Sequence, residues 1–177
     1  MQFRETQLAG VFEIRPEPIT DERGFFARTW CRDEFAAHGL STQLLQCSVS
    51  FNTKKGTLRG MHYKVAPFAE TKLVRCTQGA IFDVVVDLRP SSPSFKLWTS
   101  FHLTPENRYM AYVPEGCAHG FITLADRTEV FYQMSQVFNA ASARGFRWND
   151  PTFSISWPEK PAVISERDLT YPDFQLP

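Results

Sequence analysis

Short apolar segments separated by turn residues run along most of this 177-residue chain. Val, Ile, Phe and Tyr recur within the segments, a pattern that is typical of antiparallel sandwiches and barrels. Strands are therefore predicted over residues 24–30, 43–51, 73–77, 80–88, 95–103, 109–113 and 129–138. The pattern as a whole predicts an all-β fold.

The segments outside these strands carry signals of their own. Residues 32–37 mix charged and apolar side chains before His38-Gly39, which predicts one short helix. Residues 11–14 alternate apolar and polar side chains and could add a strand to a sheet edge. The tail from about residue 158 is rich in proline and charge, so we expect it to run across the surface or pack on a neighbouring subunit. No repeat or shift in composition divides the chain, and we expect a single domain over residues 1–177.

Composition argues against several kinds of partner and location. The 19 basic and 19 acidic side chains cancel, so charge gives no reason to expect binding to nucleic acid or to an anionic membrane. The N-terminus lacks the pattern of a signal peptide, and no apolar run approaches the ~20 residues of a membrane span. Cys31, Cys47, Cys76 and Cys117 form no C-x-x-C pair and lie in apolar runs. We therefore expect buried, reduced thiols and a cytoplasmic protein.

Candidate chemistry is concentrated in residues 56–62, GTLRGMH, and residues 114–119, PEGCAH. Each segment ends in a histidine, and Lys72 lies between the two. Because imidazole titrates near neutral pH, a histidine on a strand beside cationic groups is a candidate for proton transfer.

The same residues also have ordinary structural interpretations. His62 could be a hydrogen-bonded structural histidine, and Tyr132 lies in a segment that alternates like any strand. Lys72 could be a solvated lysine at a sheet edge, and Asp168 an exposed charge in the tail. The residue types alone leave both interpretations open.

The two histidine segments resemble the paired motifs of the cupin superfamily, whose fold is a double-stranded β-helix, or jelly roll. The matches are G-x5-H at 56–62 and P-x-G-x2-H at 114–119. Lys64 stands where a metal-binding cupin has a second histidine, and Thr123 replaces a late asparagine. Because an ammonium group is a poor metal ligand, we expect a pocket without metal.

Longer segments resemble one family of that superfamily, the nucleotide-sugar 3,5-epimerases that act on dTDP-4-dehydro-6-deoxyglucose in dTDP-L-rhamnose biosynthesis. The matching segments keep one order and spacing over nearly the whole chain, at residues 21–26, 55–63, 72–75, 79–84, 113–121, 129–132, 147–151 and 165–168. The resemblance implies a cofactor-independent isomerase that inverts C3 and C5 beside the C4 ketone and gives dTDP-4-dehydro-L-rhamnose.

The resemblance also implies roles for individual residues. His62 matches the base and Asp168 the carboxylate that orients it, while Lys72 matches the lysine that stabilises the developing enolate. Tyr132 matches the proton donor on the opposite face of the sugar. Asp83 lies on an apolar strand where a carboxylate needs a partner, and we hold it as a second residue that could orient His62.

Further positions match the family's contacts to the dTDP-linked 4-keto-6-deoxyhexose substrate. Guanidinium and imidazolium groups suit a diphosphate, and an aromatic ring suits a base. The positions are Arg23, Phe26, Gln46, Arg59, His119 and Arg144. The resemblance further implies a homodimer whose subunits exchange N-terminal strands.

Several departures from the family pattern keep alternatives open. Ser48, Phe138 and Ala143 replace a frequent asparagine, tyrosine and glutamate near the nucleotide and the pocket rim. A mono-epimerase that inverts C3 or C5 alone, on another nucleotide-linked 4-keto sugar, is therefore one alternative. A sugar-nucleotide-binding cupin without catalysis is a second, and a metal-dependent cupin enzyme, which Lys64 disfavours, is a third.

Overall fold

A computed structural model describes residues 1–175 of the chain, and nearly all of its regular structure is β-strand. The strands are β1 (Gln2–Glu5), β2 (Phe12–Arg15), β3 (Ile19–Asp21), β4 (Gly24–Phe26), β5 (Gln46–Asn52), β6 (Thr57–Lys64), β7 (Lys72–Gln78), β8 (Ile81–Asp87), β9 (Trp98–Leu103), β10 (Met110–Val113), β11 (Cys117–Thr123), β12 (Thr128–Met134), β13 (Ala143–Gly145) and β14 (Val163–Ile164). The helices are α1 (Arg32–Ala37) and α2 (Glu166–Thr170), with a 3-10 turn at Ala140–Ser142.

The strands form two antiparallel sheets. The first sheet has the order β1-β2-β10-β7-β12-β5 and the second has the order β13-β6-β11-β8-β9, with β14 parallel to β6. Strands β3 and β4 form a separate two-stranded hairpin. The predicted all-β jelly roll with a few short helices is confirmed.

The main core lies between the two sheets. Side chains of Val74 and Val130 from the first sheet meet Ile81, Val85 and Phe121 from the second, and all five are buried. Burying a side chain of this size contributes about 1.5–3 kcal/mol, so this layer stabilises the sandwich and fixes the facing of the sheets. Two smaller clusters cover the outer faces of the sheets.

Six of the seven strand predictions are correct in their centres and several are wrong at their ends, while the segment predicted over 24–30 is strand only at Gly24–Phe26. The segment predicted over 129–138 ends at Met134, which is paired on one side with Gln46 and on the other with Lys72. Beyond these pairs neither neighbouring strand continues, so the ladder stops. The segment predicted over 95–103 begins only at Trp98, since Lys96 has a φ of 66° and breaks the extended conformation. The predicted helix over 32–37 is confirmed as α1.

The tail forms regular structure over residues 163–170, which the sequence did not predict. Val163 and Ile164 pair with β6 as strand β14, and α2 follows with Asp168 buried. Gly56 makes this approach possible: its backbone accepts from the Ala162 N–H at 2.9 Å, and an added Cβ would lie 2.9 Å from the Ala162 Cβ. The tail therefore packs on its own sheet.

The expectation of buried cysteines is correct for two of the four. Cys76 and Cys117 are buried, and burial raises the pKa of their thiols to about 11 and about 12. Cys47 is exposed on β5 and Cys31 is partly exposed. Within residues 1–175, no helix is long and apolar enough to cross a membrane.

Candidate active site

A pocket with a volume of about 190 Å³ lies where the two sheets meet the tail. His62 on β6 lines it from the second sheet, and Lys72 on β7 and Tyr132 on β12 line it from the first. Register places Lys72 and Tyr132 close together, because Met134 is opposite Lys72 and lies two residues along β12 from Tyr132. The fold thus brings three residues from distant segments to one cavity.

His62 is hydrogen-bonded to a buried carboxylate. Its Nε2 lies 2.7 Å from Oδ1 of Asp168, whose side chain is 6% exposed. An ionised carboxylate can only accept, so Nε2–H is the donor and Nδ1 remains the basic nitrogen of the neutral ring. The predicted pairing of these two side chains is present.

The carboxylate of Asp168 is held in its ionised form. Burial raises the pKa of Asp168, but the hydrogen bond and charge of His62, the Gly60 N–H at 3.3 Å and Ser165 outweigh burial, so the pKa falls below its ordinary value. Ser165 also accepts from the Asp168 N–H as the N-cap of α2, which fixes the carboxyl group beside β6. A fixed negative charge therefore faces the imidazole.

Asp83 does not orient His62, which corrects the expectation from sequence. Its Oδ2 lies 2.6 Å from Nε2 of His119, and both side chains are buried. His119 is opposite Val85 on the neighbouring strand, so Asp83 is its diagonal neighbour on the same face. His119 is in turn directly opposite His62, which makes Asp83 a support one strand further away.

Lys72 is a largely buried cation that lines the same pocket as His62 and Tyr132. Its side chain is 16% exposed and its Nζ lies 3.4 Å from Oε1 of Glu70. Burial lowers the pKa of Lys72, and the charge and hydrogen bond of Glu70 oppose that effect only in part. Glu70 also receives a 2.6 Å hydrogen bond from Lys64, so two ammonium groups share one carboxylate.

The tail forms one wall of the pocket. The ring of Tyr171 meets His62 edge-on with centroids 6.0 Å apart. An added Cβ on Gly145 would lie 2.5 Å from the Tyr171 ring, so glycine is required for this approach. Arg167 lines the pocket and donates to the Tyr171 hydroxyl at 2.7 Å.

Sequence reasoning missed Glu70 and Arg167, which line the pocket, and Tyr171, which packs against His62. Arg167 lies within the matched segment 165–168, next to Asp168, and that position was the available signal. Nothing in the sequence marks Glu70 or Tyr171, because neither lies in a matched segment.

The predicted substrate contacts fall into two groups. Arg144 lines the pocket, and Gln46 is opposite the pocket residue Met134, with its Oε1 accepting from the Phe138 N–H at 2.8 Å. Arg59 is exposed and donates from Nε to Asn52 at 2.8 Å. These residues, with the buried His119, lie on strands that adjoin the pocket.

Arg23 and Phe26 do not line this pocket. Both are on the β3–β4 hairpin, where the Arg23 side chain is 84% exposed and pairs with Asp21. Phe26 is 71% exposed. The structure of one chain therefore does not bring them to His62.

The donors around His62 do not form a metal-binding set in the part of the chain from residue 1 to 175. No group of three or more His, Cys, Asp or Glu side chains there is arranged to hold a metal ion. Lys64 occupies the position at which a metal-binding cupin has a second histidine, and its ammonium is bonded to Glu70. The chemistry of these residues is that of a base with its carboxylate, facing a cation and a phenol.

The chain is similar in sequence to known proteins over nearly its whole length. The family model described as dTDP-4-dehydrorhamnose 3,5-epimerase matches residues 5–175. A dTDP-4-dehydrorhamnose 3,5-epimerase of Sinorhizobium fredii is 40% identical over 179 residues, covering 100% of this chain and 92% of that protein.

Solved structures share the fold over most of their length. The dTDP-4-dehydrorhamnose 3,5-epimerase of Bacillus anthracis with TDP and PPi bound has a TM-score of 0.93 at 36% identity, covering 98% of this chain and 99% of that one. A 3'-monoepimerase from Streptomyces bikiniensis in complex with dTDP-quinovose has a TM-score of 0.87 at 29% identity, covering 95% and 85%. By the full-length matches in sequence, the chain belongs to the dTDP-4-dehydrorhamnose 3,5-epimerase family.

Proposed function

We propose that this protein is a cofactor-independent epimerase that inverts C3 and C5 of dTDP-4-dehydro-6-deoxy-D-glucose and gives dTDP-4-dehydro-L-rhamnose. One observation carries the proposal. The His62–Asp168 pair comes from one side of a pocket whose facing sheet supplies Lys72 and Tyr132. Inversion beside a ketone requires a base, a group that stabilises the enolate, and an acid on the other face of the ring.

Proton removal falls to His62. A ring that donates Nε2–H to Asp168 has Nδ1 available to take the proton from the carbon beside the ketone. The imidazolium that forms is then bonded to a carboxylate, which lowers the free energy of the charged state. Asp168 itself stays ionised and orients the ring.

Lys72 stabilises the negative charge that develops on the C4 oxygen. Its ammonium is already placed in a water-poor cavity, so it does not have to reorganise when the enolate forms. A cation in such a site stabilises an oxyanion more than the same cation does in water.

Reprotonation falls to Tyr132, which lines the pocket from the sheet that faces His62. A phenol carries an O–H group that can donate a proton. Delivery from the side opposite the base inverts the carbon.

Polar groups beside the cavity bind the nucleotide end of the substrate. Arg59, Arg144 and His119 are the proposed contacts to the diphosphate, and Gln46 the proposed contact to the base. Arg167 adds a guanidinium at the pocket wall. The relative from Bacillus anthracis, which has TDP and PPi bound, supports a nucleotide at this site.

A homodimer with exchanged N-terminal strands completes the proposal. The β3–β4 hairpin exposes Ile19, Phe25 and Phe26 at 72%, 48% and 71%, and contiguous apolar exposure of this kind marks interfaces. The partner's pocket would then receive Arg23 and Phe26. A single domain over residues 1–177 and a cytoplasmic location remain predictions.

Solvent deuterium tests the epimerase proposal. Turnover of dTDP-4-dehydro-6-deoxy-D-glucose in D2O, followed by NMR, should place deuterium at both C3 and C5. A His62→Ala variant should lose exchange at both carbons by at least about 100-fold. The matched control is His102→Ala, since His102 is exposed on β9. Wild-type protein that binds dTDP without any exchange would leave a non-catalytic binding protein as the function.

A second candidate is a mono-epimerase that inverts C3 or C5 alone. Phe138 lines the pocket without a hydroxyl, and Ala143 lines it where the family often has a glutamate. A 3'-monoepimerase with this fold is among the similar structures. Deuterium at a single carbon, or faster turnover of a CDP-linked than of a dTDP-linked sugar, would select this candidate.

A further inference from the structure

Two lysines and one glutamate form a largely buried group of three charges in the wall of the pocket. The exposed fractions of the Lys64, Glu70 and Lys72 side chains are 7%, 4% and 16%. Glu70 Oε2 lies 2.6 Å from the Lys64 Nζ, and Oε1 lies 3.4 Å from the Lys72 Nζ. Glu70 therefore bonds closely to Lys64 and only loosely to Lys72.

Charge explains why the three side chains act together. A buried carboxylate or ammonium is costly unless it is paired, and two ammonium groups in one cavity repel each other. With Glu70 between them, the three groups carry one net positive charge. Because Glu70 bonds more closely to Lys64, it neutralises little of the positive charge that the Lys72 ammonium presents to the pocket.

We propose that Glu70 and Lys64 are positioning residues for Lys72, and that they set the strength of the positive charge that faces the substrate ketone. Glu70 keeps Lys72 protonated in the cavity. Lys64 holds Glu70 away from Lys72, so that the carboxylate does not compete with the developing oxyanion. Phe138 supports Lys64 from the other side, with the ammonium 5.4 Å from the ring centroid.

The role of Lys72 in stabilising a substrate oxygen rests on the epimerase proposal, whereas the coupling of the three charges does not. Burial lowers the pKa of Lys72, Glu70 and Asp83 raise it, and Lys64 lowers it. The titratable and charged groups around Lys72 come from β6, β8, β11, β12, β13 and α2, and from the segment that precedes β7. They are His62, Tyr63, Lys64, Glu70, Asp83, His119, Tyr132, Arg144 and Arg167.

Two single substitutions should move the titration of Lys72 in opposite directions. Glu70→Gln removes the opposing charge and leaves Lys64 as a neighbour of like charge, so the Lys72 titration should move down by about 1 pH unit or more. Lys64→Gln leaves Glu70 to Lys72 alone, so the titration should move up. The double variant should fall between Glu70→Gln and wild type.

The titration can be followed without turnover. Carbon-13 label at lysine Cε reports each ammonium by NMR in the free protein, and the Lys72 signal is identified by its loss in Lys72→Met. The matched control is the surface pair Lys55 and Glu159, 3.4 Å apart, for which Lys55→Gln and Glu159→Gln should leave the Lys72 titration unchanged. If Glu70→Gln does not fold, the Lys72 titration in Lys64→Gln still tests the proposal, which requires an upward shift.

Activity gives the second measurement. The basic limb of the profile of kcat/KM against pH for deuterium exchange should follow the NMR titration. At pH values above the wild-type limb, kcat/KM of Glu70→Gln should therefore be about tenfold lower than that of wild type, and well below the limb the two should differ little. Equal loss at every pH, unchanged NMR titrations, or shifts of the same sign in both single variants would overturn the proposal. Wild-type protein without exchange would overturn the epimerase proposal alone, because the NMR titrations stand independently of turnover.

Discussion

Asp168→Asn is the most informative single change at the proposed base. The substitution keeps the shape of the side chain and removes the charge that lies 2.7 Å from His62 Nε2. A hydrogen bond to a charged group contributes about 1.5–3 kcal/mol, and 1.36 kcal/mol is a factor of ten in rate, so exchange at C3 and C5 should fall about 10- to 150-fold. The new amide nitrogen would face the Gly60 N–H, which now donates to Oδ2, and two donors would then meet.

The assay is the initial rate of deuterium exchange by NMR at pH 7, with dTDP binding and the thermal midpoint measured on the same samples. The pKa of Asp168 lies below its ordinary value, so the wild-type carboxylate is charged throughout the neutral range. Asp173→Asn is the matched control, because Asp173 lies in the same tail and pairs with Arg147 at the surface. Exchange by a folded Asp168→Asn protein within about threefold of wild type would refute the assignment, because the smallest loss expected from the hydrogen bond is about tenfold.

Three further predictions concern the acid, the core and the thiols. Tyr132→Phe should retain deuterium exchange with unchanged configuration while the inverted product falls by at least about 100-fold; normal product formation would exclude Tyr132 as the donor. Burial raises the pKa of Asp87, but hydrogen bonds from a guanidinium and two serine hydroxyls outweigh burial and lower it from 3.8 to about 2. The charged form of Asp87 should therefore contribute about 2 kcal/mol above pH ~4 that is lost as the pH falls towards 2, and the difference between wild type and Asp87→Asn in urea unfolding should shrink over that range; a constant difference would contradict the assignment. Iodoacetamide at pH 8 should label the exposed Cys47 before Cys76 and Cys117, whose pKa values of about 11 and about 12 keep them as thiols, and mass spectrometry of native protein would expose any other order.

The pattern of short apolar segments predicts β7 and β8 to within one residue at each end, and each of these strands is paired on two sides and contributes to the core. It does not predict β6 and β11, although both are also paired on two sides. It fails at strand ends, because an end is set by where the partner strand stops. It also fails for β14 and α2, since the tail is held by backbone bonds at Gly56 and by the cap at Ser165.

The candidate site was predictable only in part, and mainly through the family resemblance. His62 and Asp168 are 106 residues apart, and neither alternation nor composition relates them. The true partner of Asp83 depends on the register of β8 against β11, which the sequence does not specify. Glu70 was missed for a similar reason, because a buried carboxylate in a loop is recognisable only once both lysines are seen beside it.

The two-sheet architecture accounts for how one base could serve two carbons on the proposed assignment. In the gluco configuration the C3 and C5 hydrogens are both axial on the same face of the ring, on either side of C4. A base below C4 can therefore reach both hydrogens while a single cation remains at the C4 oxygen. His62 comes from one sheet and Tyr132 from the facing sheet, so on this assignment the acid and the base would lie on opposite sides of a ring held between them. On this assignment, whether both carbons invert depends on how the ring is tilted at the rim, where Phe138 lacks a hydroxyl. A change in the pattern of deuterium between wild type and Phe138→Tyr would show that the rim controls which carbons invert. An unchanged pattern would show that the base controls it.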